Sequence, residues 1–386
     1  MPVPLSSRGA LASLLVLLAL PSLARSQTPD TLPPDALAGV PHGLPDVQSG
    51  EDFPRISGEL VVEIQNDRAY HAQDRDAELN DLFATIEPAI AVRFSEQLSL
   101  QSSLVFEPVE DPEPNESREL DRQGLFAEEL YALWESGALA VRAGKFNPRF
   151  GVAWDLAPGL FGVDFAEDYE ITERVGAGVS YDLGAADTGS HLLSLETFFA
   201  DTSQLTRSLG RGRSRVRRSD GGPSNTGRLN SYSLTLEGGE VPAVPGLAYN
   251  LGFVYQAAGD QGRPERDAVV GLTYDLAVAS DLNVELLAEY ARQDDADGEA
   301  GRRRSYLTAS ASTAIDDLVL AVSYTLRDER VRDDRDHNDF LAQASVGYFR
   351  ELGPGEAGFE VGYKLTREEN RKISTVGLRA SWVLEF

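Results

Sequence analysis

Cysteine is absent from the 386 residues. That excludes disulfides and any metal site built on thiolates. Positive charge is scarce: 35 Lys and Arg stand against 62 Asp and Glu, for a formal charge of −27. Such acidity argues against nucleic acid as a partner, which needs a basic surface. It is compatible with solubility, or with acidic loops that hold divalent cations beside anionic lipid. Long apolar runs are missing as well. The only one, Ala10 to Leu20, is shorter than the ~20 residues a spanning helix requires. Beyond it no stretch reaches ~18 apolar residues, so the remainder contains no transmembrane helix. Nothing reads as a linker between domains either.

What is present begins with a targeting segment. Arg8, the apolar run and the small residues Ala24 and Ser26 predict a signal peptide over residues 1–26, cleaved before Gln27. A membrane anchor is the alternative, and the run is short for it. Loss of Arg8 and Arg25 takes the charge to −29. Residues 27–54, with Pro29, Pro33, Pro34, Pro41 and Pro45, read as a flexible tail too short for a folded plug. The fold then occupies 55–386.

Its hydrophobic period is two. Leu282, Val284, Leu286, Ala288 and Tyr290 share one face, and Asn283, Glu285 and Glu289 the other, with Leu287 an exception. Segments from Leu318, Leu247, Phe340 and Phe359 repeat the alternation, and so do Leu82 to Phe94. They run ~9–11 residues, the length of a tilted membrane strand, where soluble strands average ~5–6. Tyr181, Tyr232, Tyr255, Tyr274, Tyr290, Tyr324 and Tyr348 fall at or near segment ends, as suits a lipid–water interface. About sixteen strands alternate between tight turns and long charged loops. The prediction is an all-β fold: a transmembrane antiparallel up-and-down β-barrel with short periplasmic turns and long extracellular loops. The phase of FAEELYALW, from Phe126, stays ambiguous, and the last long connection, 366–372, is modest.

The pattern resembles a Gram-negative outer-membrane porin. The final strand, with Leu378, Ala380, Trp382, Leu384 and Phe386 on one face, looks like the signal read by barrel-assembly machinery, Trp382 and Phe386 carrying it. Val141 to Asp155 (VRAGKFNPRFGVAWD) and Asp168 to Gly184 (DYEITERVGAGVSYDLG) are similar to porins of the phosphate-selective O/P type. The resemblance implies an outer-membrane location, contact with lipid and lipopolysaccharide, passage of small hydrophilic solutes, and a homotrimer.

Residues opposite the lipid face would line the lumen: Glu63, Glu87, Glu196, Glu237, Glu285, Glu289, Glu360 and Glu385 against Arg93, Arg142, Arg174, Lys364 and Arg379. This predicts a mildly acidic lumen. Equally, these charges could pair across strands and only keep the interior wet. No consecutive basic ladder for phosphate is visible. The third long loop, 148–170, carries Phe150, Trp154, Leu156, Leu160, Phe161 and Phe165, too apolar for free solvation. By likeness to porins it would fold inward and narrow the pore. Asp155, Asp164, Glu167 and Asp168 would then face Arg142, Lys145, Arg149 and Arg174. The alternative is that it covers a neighbouring protomer or the barrel rim.

Other loops carry charge. Arg207, Arg211, Arg213, Arg215, Arg217, Arg218 and Arg228 crowd one connection. They could grip lipopolysaccharide phosphates, draw in anionic solutes, meet a neighbour's acidic loops, or simply be solvated. The acidic loops 107–117 and 292–301 would share Ca²⁺ or Mg²⁺ with lipid headgroups; no cofactor beyond these is expected. Catalysis has little material. No G-x-S-x-G or H-E-x-x-H occurs, and of four His only His71 (near Asp74) and His337 (beside Asp336) suggest a surface hydrolase. A structural or adhesive barrel with a closed lumen is the other alternative; about eight strands would suit it, whereas about sixteen leave a channel.

Overall fold

The computed structural model describes residues 53–386 except 186, 211, 261, 281 and 333–335. The signal peptide and nearly all of the tail lie outside the described residues, as does Arg211. Eighteen strand segments follow one another. They are β1 (Arg55–Ala72), β2 (Asn80–Arg93), β3 (Leu98–Pro108), β4 (Arg118–Glu119), β5 (Gln123–Ser136) and β6 (Leu139–Phe146). Next come β7 (Arg174–Asp182), β8 (Ser190–Ala200), β9 (Leu209–Gly210), β10 (Ser231–Gly239), β11 (Leu247–Gln256) and β12 (Glu265–Ala279). The last are β13 (Leu282–Asp294), β14 (Arg303–Ile315), β15 (Leu318–Arg330), β16 (His337–Leu352), β17 (Gly355–Glu368) and β18 (Arg371–Glu385). β4 and β9 are two-residue pieces in loops. The other sixteen pair antiparallel with their neighbours, and β18 pairs with β1 to close the ring. Gly58 and Phe386 exchange backbone hydrogen bonds of 2.8 and 2.9 Å at the seam. Closure gives each of the sixteen a neighbouring strand on both sides, since an open sheet edge is what hydrocarbon would not tolerate.

Burial is inverted. In β10, Ser231, Ser233 and Thr235 are at most 1% exposed, while Tyr232 and Leu234 are 41% and 45% exposed. Polar side chains point inward and apolar ones outward, as two-fold alternation requires when the solvent outside is lipid.

The strands run from 8 to 18 residues, and ten of the sixteen are longer than the expected band because charged ends continue the ladder past the apolar stretch. The last long connection is in fact a two-residue turn, Glu369-Asn370, both at positive φ (49° and 66°), which matches the twist of a tight hairpin. The ambiguity in β5 is resolved by a bulge. Ser103 faces Glu129 while Leu104 faces Ala127, so Glu128 is the extra residue. Phe126 points inward before it and Tyr131 after it, and each phase holds on its own half.

Candidate functional site: the channel interior

The connection 147–173 turns into the barrel. Asn147 ties both its ends to β5. Its backbone N–H donates to Glu129 Oε1 (2.9 Å), its Nδ2 to Glu128 Oε1 (3.1 Å), and its Oδ1 accepts from the Glu173 N–H (2.8 Å). Gly151, at φ +74°, lets the chain turn toward the wall. There Glu289 of β13 accepts three hydrogen bonds: from the Val152 N–H (2.7 Å), the Ala153 N–H (3.0 Å) and the Tyr169 hydroxyl (2.6 Å). The segment then runs around the inner wall. The Pro158 carbonyl accepts from Gln343 of β16 at 2.8 Å, and Leu160 and Phe161 lie against the bare backbones of Gly362 and Gly377.

Apolar packing backs the polar anchors. Phe150, Val152, Ala153, Ala157, Ala166, Tyr169 and Ile171 cluster with Phe198, Val254, Val269, Leu287, Ala291 and Tyr306 of the wall. This accounts for Leu287, the apolar residue on a polar face: it receives the loop. The segment's apolar content, too high for a solvated loop, is buried within its own barrel.

The structure assigns the charges differently from the pairing expected across the lumen. Arg142 is paired with Glu196 of β8, which also accepts from the Arg149 backbone N–H at 3.0 Å; Arg149 reaches Glu237 of β10 at 3.3 Å. Lys145 bridges Glu173 (2.8 Å) and Asp201 (3.2 Å). Arg174 donates to the Thr172 carbonyl and to Gln256. In these pairs none of the four meets Asp155, Asp164 or Asp168. Asp164 pairs instead with Lys364 at 2.7 Å, and Asp168 with Arg327 at 2.8 Å. The reason is reach: the loop is long enough to pass the strands it leaves and to dock on β15 and β17, and sequence spacing does not say how far it travels. Asp155 has no ion-pair partner among the described residues, and burial pushes its carboxyl up to about 7. Burial also raises Glu167 and Glu170 well above the ordinary carboxylate range, with neighbouring acids adding to it. Each keeps one buried carboxylate oxygen without a hydrogen-bond partner among the described residues.

The remaining lining positions face inward. Arg379 joins Glu63 (3.4 Å) to Glu360 (2.7 Å), Arg93 approaches Glu135 at 3.9 Å, and Glu285 accepts from Ser312 at 3.2 Å. Glu87 lies within electrostatic reach of Glu107 and Glu128. Glu173, Asp201, Arg327, Asp339 and Gln343 escaped the sequence reading. Arg327 and Asp339 were accessible to it, since Leu326 and Phe340 lie on the opposite face. Glu173 and Asp201 sit outside the strands, where alternation is silent.

The loop acids engage arginines. Asp297 meets Arg302 (2.8 Å) and Arg304 (2.7 Å), Glu116 meets Arg122 at 3.1 Å, and no group of three or more His, Cys, Asp or Glu suited to a metal occurs among the described residues. The Ca²⁺ or Mg²⁺ expected there therefore lacks a preformed site in those residues. Asp74 is taken by Arg371 (3.4 Å) and by the Asp76 N–H, not by His71. His337 and Asp336 are not hydrogen-bonded to each other either.

No protein-family model matches the chain, and no curated protein matches it in sequence. Solved structures do match in fold. OpdK of Pseudomonas aeruginosa, crystallised with vanillate, aligns with 86% of this chain and 99% of its own at 10% identity and a TM-score of 0.53. OccK8 (OprE) of the same organism aligns with 86% and 98% at 11% identity and a TM-score of 0.52. The outer-membrane channel DcaP of Acinetobacter baumannii aligns with 86% and 96% at 11% identity and a TM-score of 0.51. The chain thus has the fold of Gram-negative outer-membrane channels. At such identities the likeness concerns architecture, and the phosphate-selective type is not among the neighbours named.

Proposed function

We propose that the protein is an outer-membrane porin, a water-filled channel for passive diffusion of small hydrophilic solutes or ions. The observation that carries this is the inverted burial of a closed sixteen-strand barrel, apolar outside and polar within. Sixteen strands are too many for side chains alone to fill the interior. Residues 147–173, docked inside, are the constriction in this reading. Arg142, Lys145, Arg149 and Arg174 hold its root; Asp155, Asp164 and Asp168 belong to the segment itself.

The passage that remains prefers cations once the raised carboxyls of the inward segment ionise. Arg142, Lys145, Arg149, Lys364, Arg327 and Arg379 each sit on one or more carboxylates. Glu87, Asp155, Glu167 and Glu170 sit on no such cation among the described residues, and of the lining bases Arg174 sits on no carboxylate there. A pore's preference follows the uncompensated charge of its lining. Trp382 and Phe386, both outward and 39% and 58% exposed, suit recognition by barrel-assembly machinery. A homotrimer is the assembly that likeness to porins suggests.

Planar-bilayer recording on refolded protein tests this. Discrete conductance steps are expected, with a reversal potential in a KCl gradient at alkaline pH of the sign for potassium preference. Absence of conductance would refute the channel. Chloride preference would refute the acidic lining and leave the channel standing.

A further inference from the structure

The arginine-rich connection, residues 201–230, is a basic stretch on an acidic protein. It carries seven Arg against Asp201 and Asp220. It is also part of the wall. β6 stops at Phe146, where the chain turns inward, and pairs with β5 only from Leu130 to Ser136. The vacated edge of β5 is covered by β9, with Gly124 opposite Gly210 and Leu125 opposite Leu209. The connection therefore patches the barrel rim where the inward loop left a gap.

Alternation continues through the patch. Thr206 and Ser208 are buried, while Leu205, Arg207 and Leu209 are exposed, Leu209 at 72%. Among the described arginines Arg213 turns in, stacking 4.1 Å over Phe126 and pairing with Glu173. Arg215, Arg217, Arg218 and Arg228 are exposed, as is Leu229 at 55%. None of these four, nor Arg207, forms an ion pair with another described residue. Their presentation is built: Asn225, 3% exposed, donates to the Arg217 and Gly221 carbonyls at 2.8 and 2.9 Å. The Arg218 guanidinium lies against Gly227, beside Arg228.

We infer that this rim patch is a docking surface for the phosphorylated headgroup of an outer-leaflet lipid, its arginines taking the phosphates and Leu205, Leu209 and Leu229 the apolar shoulder. The inference rests on the outer-membrane orientation proposed above. Guanidinium forks bind phosphate bidentately. A soluble phosphate would need the forks alone; exposed leucines continuous with the lipid-facing wall call for an amphiphile.

The test uses the full barrel with Arg207, Arg215, Arg217, Arg218 and Arg228 all changed to Gln, beside a Leu205→Ser/Leu209→Ser variant. Each is exchanged into detergent with bis-phosphorylated or dephosphorylated lipid A, and retained lipid is counted by native mass spectrometry. The wild type should retain the phosphorylated form and not the other. Both variants should lose about tenfold or more of it, as several charge-assisted contacts or the apolar shoulder are removed. Unchanged retention in the arginine variant overturns the inference; displacement by inorganic phosphate as effective as the arginine changes overturns the lipid as its source. Ser214→Cys, the only thiol in the chain, separates the two readings on whole cells. No labelling by an impermeant maleimide overturns the orientation, and the docking surface with it. Labelling with unchanged retention overturns the docking surface alone.

Discussion

Glu289→Gln is the sharpest perturbation of the inward loop. The Glu289 side chain is 1% exposed and accepts from two backbone amides and one phenol. Glutamine keeps the shape but replaces one acceptor oxygen with a donor. Oε1 serves both Ala153 and Tyr169, and Oε2 serves Val152. Whichever way the amide is turned, one or two donors lose their partner. Each unsatisfied buried donor costs roughly 1–3 kcal/mol, so the docked position weakens by about 1–6 kcal/mol. At 1.4 kcal/mol per decade, the docked-to-undocked ratio moves about fivefold at the low end of that range and by more than about a thousandfold at the high end. The remaining anchors at Gln343, Lys364 and Arg327 keep the segment inside, so the barrel itself should fold and keep its heat-resistant mobility on gels. Single-channel recording should show larger or noisier open levels, and Tyr169→Phe, which removes one donor, should show a smaller change. The matched substitution Glu285→Gln, four residues nearer the turn on the same face of β13 but away from the loop, should do little. If Glu289→Gln has wild-type conductance and noise, the argument that this carboxylate holds the loop is wrong.

Three further outcomes are expected. Gly377→Val brings a Cβ to within 2.5 Å of the Phe161 ring and 2.6 Å of Leu160, so it should push the loop tip off β18 and lower thermal stability by about 1–3 kcal/mol; an unchanged melting temperature and conductance would refute that contact. Asp155 has a carboxyl raised to about 7 from an unfolded 3.8, so its contribution is fully present below 3.8 and lost as pH rises through about 7. Protease protection of the loop should therefore fall between about pH 4 and 7, and Asp155→Asn should flatten the profile; a slope that survives the substitution places its origin elsewhere. Deleting Glu128 removes the bulge and turns residues 123–127 onto the opposite face, taking Phe126 from Arg213. The heat-modifiable band should disappear on gels, and a normally folded barrel would show that the bulge is dispensable.

Leu318, Leu320, Val322, Tyr324 and Leu326 declare their strand because lipid on one side and water on the other leave only two-fold alternation as a solution. All sixteen barrel strands follow from that rule. Its failures are informative. Leu287 broke the pattern because it receives the loop, and the two phases of β5 were both correct because a bulge joins them. The rule is mute wherever the chain leaves the sheet. Glu173 and Asp201, which hold Lys145, lie in such segments, and so does the whole path of residues 147–173.

Alternation and turn spacing were enough, without any coordinates, to point to a closed membrane barrel with long loops at one end, because a two-residue period is a local property of the chain. The partners of the lining charges were not local. Asp164 meets Lys364 two hundred positions later, Asp168 meets Arg327, and Glu289 meets Tyr169. Those pairs depend on how far one segment travels around the inside of a closed ring, and only the tertiary structure decides that distance.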